Sequence, residues 1–104
     1  MAAIVAVSIA PSGTGASVGA DVAAAVRVLA AQDRVRWELG PMFTTLEGEL
    51  SEIFELVLAM RDAVFARGAP RVGIVLKVDE RRDREATMGS KVERVRALLG
   101  DERS

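Results

Sequence analysis

The chain has 104 residues, of which 50% are hydrophobic and 28% are charged, and its 14 basic and 15 acidic side chains give a net charge of −1. This composition is typical of one globular domain over residues 1–104, excludes a disordered chain, and provides no field that would attract nucleic acid. The sequence has no cysteine and no histidine, which excludes disulfides, thiolate nucleophiles, Cys/His metal sites and imidazole acid–base chemistry.

Residues 1–20 carry no charged side chain, but they do not form a membrane segment. The Pro11-Ser12-Gly13-Thr14-Gly15 run interrupts them after about ten residues, well short of the ~20 that a spanning helix needs. A secretory signal would need a basic start, which is missing. We therefore expect a cytoplasmic protein with no membrane partner.

The first predicted elements are a strand over residues 4–10 and a helix from Ser17 to about Gln32. Val5, Val7 and Ile9 alternate on one face of the strand, and the other face carries small side chains. Ser17 is a suitable N-cap for the helix, whose apolar residues recur at helical spacing. The rest of the helix surface is mostly alanine.

A hairpin and a second helix follow. Alternating patterns over residues 35–39 and 42–47 flank Gly40-Pro41, which predicts two strands joined by a turn. The second helix runs from Leu50 to about Arg67, with Gly68 as its C-terminal cap.

The last predicted elements are a strand over residues 71–79 and a short helix that ends near Leu99. Val72, Ile74, Leu76 and Val78 lie on one face of the strand. Ser90 and Glu93 have the spacing of a capping box. With right-handed crossovers, the order predicts an α+β, ferredoxin-like β-α-β-β-α-β sandwich, a four-stranded antiparallel sheet with two helices on one face, plus the terminal helix.

The apolar side chains of the second helix cover roughly 200° of its circumference, about twice what one sheet contact needs. The terminal helix or the alanine-rich first helix would cover the surplus in a monomer. A second copy of the chain would cover it in an oligomer. The far face of the sheet also lacks a covering layer, and an exposed face of that size usually marks an interaction site. We expect self-association, with a tetramer as the predicted state.

Three segments carry candidate binding residues. The loop 11–17 precedes a helix N-terminus, where amides bind anions, although a glycine turn without ligand has the same pattern. Glu47 lies in a strand, where a carboxylate has poor propensity, which favours a ligand role. Residues 77–84 mix both charges and indicate a salt-bridged loop. The few aromatics do not provide the stacking surface of an RNA-binding sheet.

Several separated strings together resemble the thiamine-binding protein family, over nearly the whole chain. They are Ala10-Pro11-Ser12-Gly13-Thr14-Gly15 with Ser17, then Gly40-Pro41-Met42-Phe43-Thr44-Thr45-Leu46-Glu47-Gly48-Glu49, Gly68-Ala69-Pro70-Arg71-Val72, Lys77-Val78-Asp79-Glu80-Arg81-Arg82-Asp83 and Lys91-Val92-Glu93. The resemblance implies a ferredoxin-like fold, dimers and tetramers, and binding of thiamine or a related pyrimidine near a subunit interface without turnover. Phe43 departs from the pattern, since a smaller residue is more usual there, and its ring would narrow the pocket.

A pocket for thiamine, which joins a cationic thiazolium to an aminopyrimidine, needs a carboxylate, hydroxyl groups and a polarizable wall. Nine residues match these needs. They are Glu47 and Asp79 for the charge, Thr14, Ser17 and Thr44 for hydrogen bonds, Met42 and Trp37 as walls, and Lys77 or Arg82 for a phosphorylated form.

Three classes of function remain open, and a binding protein without enzymatic activity or a cofactor ranks first. A structural or regulatory oligomeric module without a small-molecule ligand ranks second. An enzyme ranks last, because Glu47 and Asp79 would need raised pKa values and nothing in the sequence brings them together.

Overall fold

The secondary structure follows the predicted order. The structure, a computed structural model, describes residues 2–12, 18–83 and 87–103, with only the backbone for residues 101–103. The elements are β1 (Ala2–Ser12), α1 (Gly19–Ala30), β2 (Arg36–Glu38), β3 (Thr44–Glu49), α2 (Leu50–Phe65), β4 (Arg71–Glu80) and α3 (Met88–Arg103). None of the helices in these ranges combines the length and the apolar character that crossing a bilayer requires.

The four strands form one antiparallel sheet in the order β2-β3-β1-β4. Each βαβ unit crosses over one strand, so β1 and β3 lie in the centre and β2 and β4 at the edges. This arrangement confirms the predicted ferredoxin-like α+β fold. The two edge strands differ in length, since β2 has three residues and β4 has ten.

The register divides the sheet into two faces. Val5 lies directly opposite Leu46 on β3 and Val78 on β4, and opposed residues point to the same side. Val5 and Leu46 are fully buried beneath the helices, so this side is the helix face. The other side, the open face, carries Ile4, Ala6 and Ser8 from β1, as the alternation predicts.

The helices complete a single hydrophobic core. Ile53, Val57 and Val64 of α2 pack there with Ala25 and Leu29 of α1. The surplus arc of α2 carries three side chains that are between 42% and 49% exposed: Phe54, Leu58 and Phe65. Neither α1 nor α3 covers these three side chains. The apolar arc of α2 therefore extends beyond the part of the helix that packs against the rest of the described chain.

Several predicted boundaries differ from those in the structure. Helix α2 ends at Phe65 with Ala66 at its C-cap, so the prediction that Gly68 caps it was wrong by two residues. Gly68 has a φ of +101°, which glycine adopts without steric penalty, and it ends the turn that follows the helix. The prediction that β1 ends at Ala10 was wrong, because β4 is long enough to pair with Pro11 and Ser12 as well. Helix α1 begins at Gly19 with Val18 at the N-cap, and the predicted cap, Ser17, lies outside the described residues.

The N-terminus of α3 lies earlier than predicted. The Thr87 hydroxyl accepts a hydrogen bond from the Ser90 backbone N–H, and the Ser90 hydroxyl accepts one from the Thr87 N–H, both at 2.9 Å. This reciprocal pair is a capping box with serine at its third helical position. The predicted Ser90 and Glu93 box was therefore wrong, because Thr87 supplies the cap three residues earlier. The helix is also longer than predicted.

Candidate functional site

Glu47 is a buried carboxylate on β3. Its side chain belongs to the open face, where its cross-strand neighbours are Ile4 on β1 and Arg36 on β2. The residue is nevertheless only 6% exposed. Among the described residues, no hydrogen bond or ion pair reaches its carboxylate. A buried charge is usually paired, so this position is an exception within the fold.

An open cleft adjoins this carboxylate. The Glu47 cleft, as we call it, has a volume of about 390 Å³ and is lined by Arg36, Trp37, Glu38, Glu47, Thr87, Met88 and Gly89. No side-chain oxygen or nitrogen in the described ranges is both sealed from solvent and without a hydrogen bond. The Glu47 oxygens therefore retain access to the cleft. Its volume lies within the range of small-molecule sites.

Two elements build the walls of this cleft. Trp37 lies opposite Leu46 in the register and packs partly against the core, as a lone tryptophan on an alternating strand usually does. The start of α3 supplies Thr87 and Met88, which the Thr87–Ser90 capping box holds in position. The thioether of Met88 adds a polarizable surface.

The charges in the Glu47 cleft favour a cation. Arg36 lies opposite Glu47 on the neighbouring strand, yet no ion pair within 4.0 Å forms between them, and Arg36 is exposed. Glu38 adds a second carboxylate. Two carboxylates and one guanidinium make the cleft negative overall, which suits a ligand with a positive charge.

A second cleft lies beside the first on the open face. Its volume is about 410 Å³, and its lining includes Ile4, Lys77, Asp79 and Lys91. Ile4 is opposed to both Glu47 and Asp79, so these carboxylates lie about two strand spacings, or ~10 Å, apart. Lys91 donates a hydrogen bond to Asp79 and holds the pKa of that carboxyl below its ordinary value, with smaller contributions from Arg81 and Lys77. Asp79 is therefore already paired, unlike Glu47.

Met42 and Thr44 lie in a third place. Thr44 is buried opposite Val7 on the helix face. Met42 and Thr44 line a cavity of about 90 Å³ together with Phe43. A cavity of this size is too small for a heteroaromatic ligand. A Cβ on Gly40 would lie 2.4 Å from the Phe43 carbonyl oxygen, so glycine is needed for the turn that positions Phe43.

The remaining predicted site residues lie elsewhere. Thr14 and Ser17 fall outside the described residues. Arg82 is exposed beyond the end of β4 and lines neither open-face cleft. Its neighbour Arg81 donates to Asp83 at 2.9 Å, which agrees with the predicted salt-bridged loop. Of the nine predicted residues, the structure thus brings Lys77 to Asp79. Trp37 borders the Glu47 cleft, but its side chain lies on the helix face, opposite to that of Glu47.

Several lining residues were missed at the sequence level. Arg36 and Glu38 alternate with Trp37 on β2, so strand periodicity placed them on the face of Glu47 and could have identified them. Met88 and Lys91 carry no comparable signal. They reach the open face because α3 begins beside it, which is a consequence of the tertiary fold.

Comparison with known proteins adds sequence and structural relatives. A family model described as thiamine-binding protein matches residues 5–96. The UPF0045 protein YqgV of Bacillus subtilis is 40% identical over 101 residues, which cover 93% of this chain and 97% of that protein. A UPF0045 protein of Staphylococcus xylosus is 37% identical over 103 residues, covering 95% and 96%.

Solved structures show the same fold. The crystal structure of MJ1052 from Methanocaldococcus jannaschii matches with a TM-score of 0.83 and 36% identity, covering 90% of this chain and 95% of that one. A Thermotoga maritima protein assigned provisionally to thiamine biosynthesis or salvage has a TM-score of 0.78 and 22% identity, covering 91% and 99%. At that identity the second likeness concerns the fold alone.

Proposed function

Because this chain belongs to the thiamine-binding protein family, we propose that it binds thiamine or a related pyrimidine in the Glu47 cleft, without converting it. The observation that carries the proposal is the Glu47 carboxylate, which is 6% exposed and has no partner among the described residues. A cationic ligand supplies the missing partner. It also explains why a costly buried charge is kept in a strand of the central sheet.

The chemistry of thiamine matches this cleft in three respects. Its thiazolium cation is attracted by a cleft with two carboxylates and one guanidinium. Its aminopyrimidine can donate hydrogen bonds to Glu47 or Glu38 and accept one from the Thr87 hydroxyl. Its aromatic rings can pack against the Met88 thioether. In this proposal Met42 and Thr44 do not contact the ligand, and Asp79 and Lys77 lie in the cleft next to it.

We also propose that the protein is a homo-oligomer, a tetramer in its full form, and that the ligand lies at an interface between subunits. The cleft opens on a sheet face whose central residues, such as Ile4 and Thr45, are only half-buried, and a second copy on that face would enclose the ligand. Sedimentation at micromolar protein concentration tests the assembly. A species of 11.1 kDa would contradict it.

The proposal describes a carrier or sensor rather than an enzyme. The Asp79 carboxyl, which would have to act with Glu47 in catalysis, is paired with Lys91 and has a lowered pKa. A general acid at neutral pH needs the opposite shift. We further propose that residues 1–104 act as one domain in the cytoplasm, which limited proteolysis and cell fractionation test.

A thermal melt with a small ligand panel tests binding. The panel contains thiamine, its phosphates, hydroxymethylpyrimidine and choline as an unrelated cation. A ligand at a hundred times its dissociation constant stabilises the folded state by about 2.7 kcal/mol, which raises the midpoint by several degrees. We expect a shift with thiamine and none with choline. If no pyrimidine shifts the midpoint at millimolar concentration, the proposal fails.

The Glu47→Gln variant tests the location of the site. It removes the charge and keeps the volume, and losing a charge-assisted contact of about 1.5–3 kcal/mol raises the dissociation constant by about 10- to 150-fold. Glu55→Gln is the matched control, because Glu55 is exposed on α2 and lines no cleft on the open face. Equal affinities of the two variants in isothermal titration would exclude the Glu47 cleft.

A second candidate function is an oligomeric interaction module without a small-molecule ligand. The exposed apolar side chains of α2, β4 and α3 favour it, among them Phe65, Val75 and Val95. The thermal melt distinguishes the two functions, because an interaction module would assemble but its melting midpoint would not change with any ligand of the panel.

A further inference from the structure

The Glu47 cleft has a neighbour of opposite charge on the open face. This second cleft, which we call the Lys77 cleft, is lined by Ile4, Ala6, Lys77, Val78, Asp79 and Lys91. Its two ammonium groups and one carboxylate make it positive overall, whereas two carboxylates and one guanidinium make the Glu47 cleft negative. A positive cleft of about 410 Å³ suits an anionic group of a small molecule.

The cations of the Lys77 cleft have free hydrogen-bond donors. Lys77 is exposed and forms no hydrogen bond or ion pair with any described residue. Lys91 donates to Asp79, but an ammonium group has three N–H donors, so two of them remain. An anion in this cleft therefore meets two ammonium groups, one from β4 and one from α3. A phosphate group, with several oxygens that accept charge-assisted hydrogen bonds, is the anion that uses such a pair best.

The register of the sheet fixes the distance between the two clefts. Ile4 on β1 lies opposite Glu47 on β3, and Ala6 lies opposite Lys77 on β4. Glu47 and Lys77 are therefore two strand spacings and two residues apart, or about 12 Å between their Cα atoms. Ala6 contributes only a methyl group to the surface beside Lys77, so a ligand can extend across β1 from one cleft toward the other.

We propose that the preferred ligand is a phosphate ester of a heteroaromatic cation, with its aminopyrimidine in the Glu47 cleft and its phosphate in the Lys77 cleft. This inference rests on the proposed function and deepens it by naming the class of ligand and a second subsite. In thiamine monophosphate the phosphate lies at the opposite end from the aminopyrimidine, with the cationic ring between them. Such a molecule matches the order of charges across the open face.

The other cations near the clefts do not provide this subsite. Arg82, which the sequence also indicated for a phosphorylated ligand, lines neither cleft. Arg36 lines the Glu47 cleft, where a phosphate would face two carboxylates. In the Lys77 cleft the single carboxylate is already paired with Lys91. The phosphate is therefore accommodated best between Lys77 and Lys91.

Isothermal titration with thiamine and with thiamine monophosphate tests the second subsite. The two ligands share the cation and the aminopyrimidine, so the ratio of their dissociation constants isolates the contribution of the phosphate. Hydrogen bonds from two partly exposed ammonium groups should make the monophosphate bind about tenfold more tightly. This preference should decrease as the salt concentration rises, because exposed charges are screened.

Substitutions in the Lys77 cleft should change this preference in opposite directions. Lys77→Met removes one ammonium group and should lower the preference about threefold, whereas Lys77→Arg keeps the charge and should retain it. Asp79→Asn removes the carboxylate from the cleft and releases Lys91, so it should raise the preference. A purely structural role of these residues would not produce two opposite changes.

Arg71→Met is the matched control for Lys77→Met. It removes a positive charge from the same strand and the same face, but Arg71 is six residues, or about 20 Å, away and lines neither cleft. Both side chains are exposed, so both variants should melt close to the wild type.

A preference for the monophosphate that falls in Lys77→Met and persists in Arg71→Met supports the inference. Equal dissociation constants of the two ligands in the wild type overturn it, and so does a preference that both variants lower equally. Binding of thiamine without any preference overturns this inference alone and leaves the proposed function intact. If the wild type binds neither ligand, the proposed function fails and the inference fails with it.

Discussion

Replacing Glu47 by glutamine should make the ligand-free protein more stable. The residue is 6% exposed and has no partner among the described residues. Its oxygens reach water only through the cleft, so the carboxylate is partly desolvated, and a carboxylate is more costly to desolvate than an amide. The cost of about 1–3 kcal/mol for a fully buried polar group without a partner is the upper bound here. The attraction of the exposed Arg36 offsets little of this, since exposed charges contribute about 0–1 kcal/mol.

We therefore expect Glu47→Gln to raise the free energy of unfolding by about 1 kcal/mol. In a domain of this size the melting midpoint should rise by roughly 4–8 °C. Urea and thermal denaturation of the ligand-free protein measure both values. Glu55→Gln serves again as the control, because an exposed substitution should stay within about 0.5 kcal/mol of the wild type.

The same variant should thus be more stable and bind less tightly. That combination is typical of a binding residue and distinguishes it from a structural residue, whose loss lowers stability and binding together. A decrease in the free energy of unfolding would refute the reasoning, because it would mean that the carboxylate has a favourable partner in the assembled protein.

Two further predictions concern the ends of the helices. Gly68→Ala should destabilise the protein by about 1 kcal/mol, because alanine is strained at a φ of +101°, and an unchanged urea midpoint would contradict this. Lys91→Met should raise the pKa of the Asp79 carboxyl toward its ordinary value, which an NMR pH titration measures. Since the folded-state pKa is lowered, the ion pair supports the start of α3 at neutral pH and is lost as the pH falls through that pKa. A titration of Asp79 identical in both proteins would show that Lys91 is not the cause.

Local patterns in the sequence were sufficient for the order of the elements and for the faces of β1 and β4. Side chains alternate across a strand, so Val5 was grouped correctly with Val7 on β1, and Leu76 with Val78 on β4, without any knowledge of the fold. The same rule separates Thr44 from Glu47, because an odd spacing puts two residues of one strand on opposite faces. Glu47 itself was singled out by its poor strand propensity.

Tertiary packing decided the features that carry the function. Residues far apart in sequence bury Glu47 without a partner, since Arg36 and Met88 reach it from β2 and α3. Asp79 is paired because α3 begins beside the sheet and brings Lys91 to it. The exposure of β4 follows from the position of α2 on the sheet, which depends on how the side chains of two layers fit together. Such contacts produce no periodic pattern in the sequence, so only the packed structure shows them.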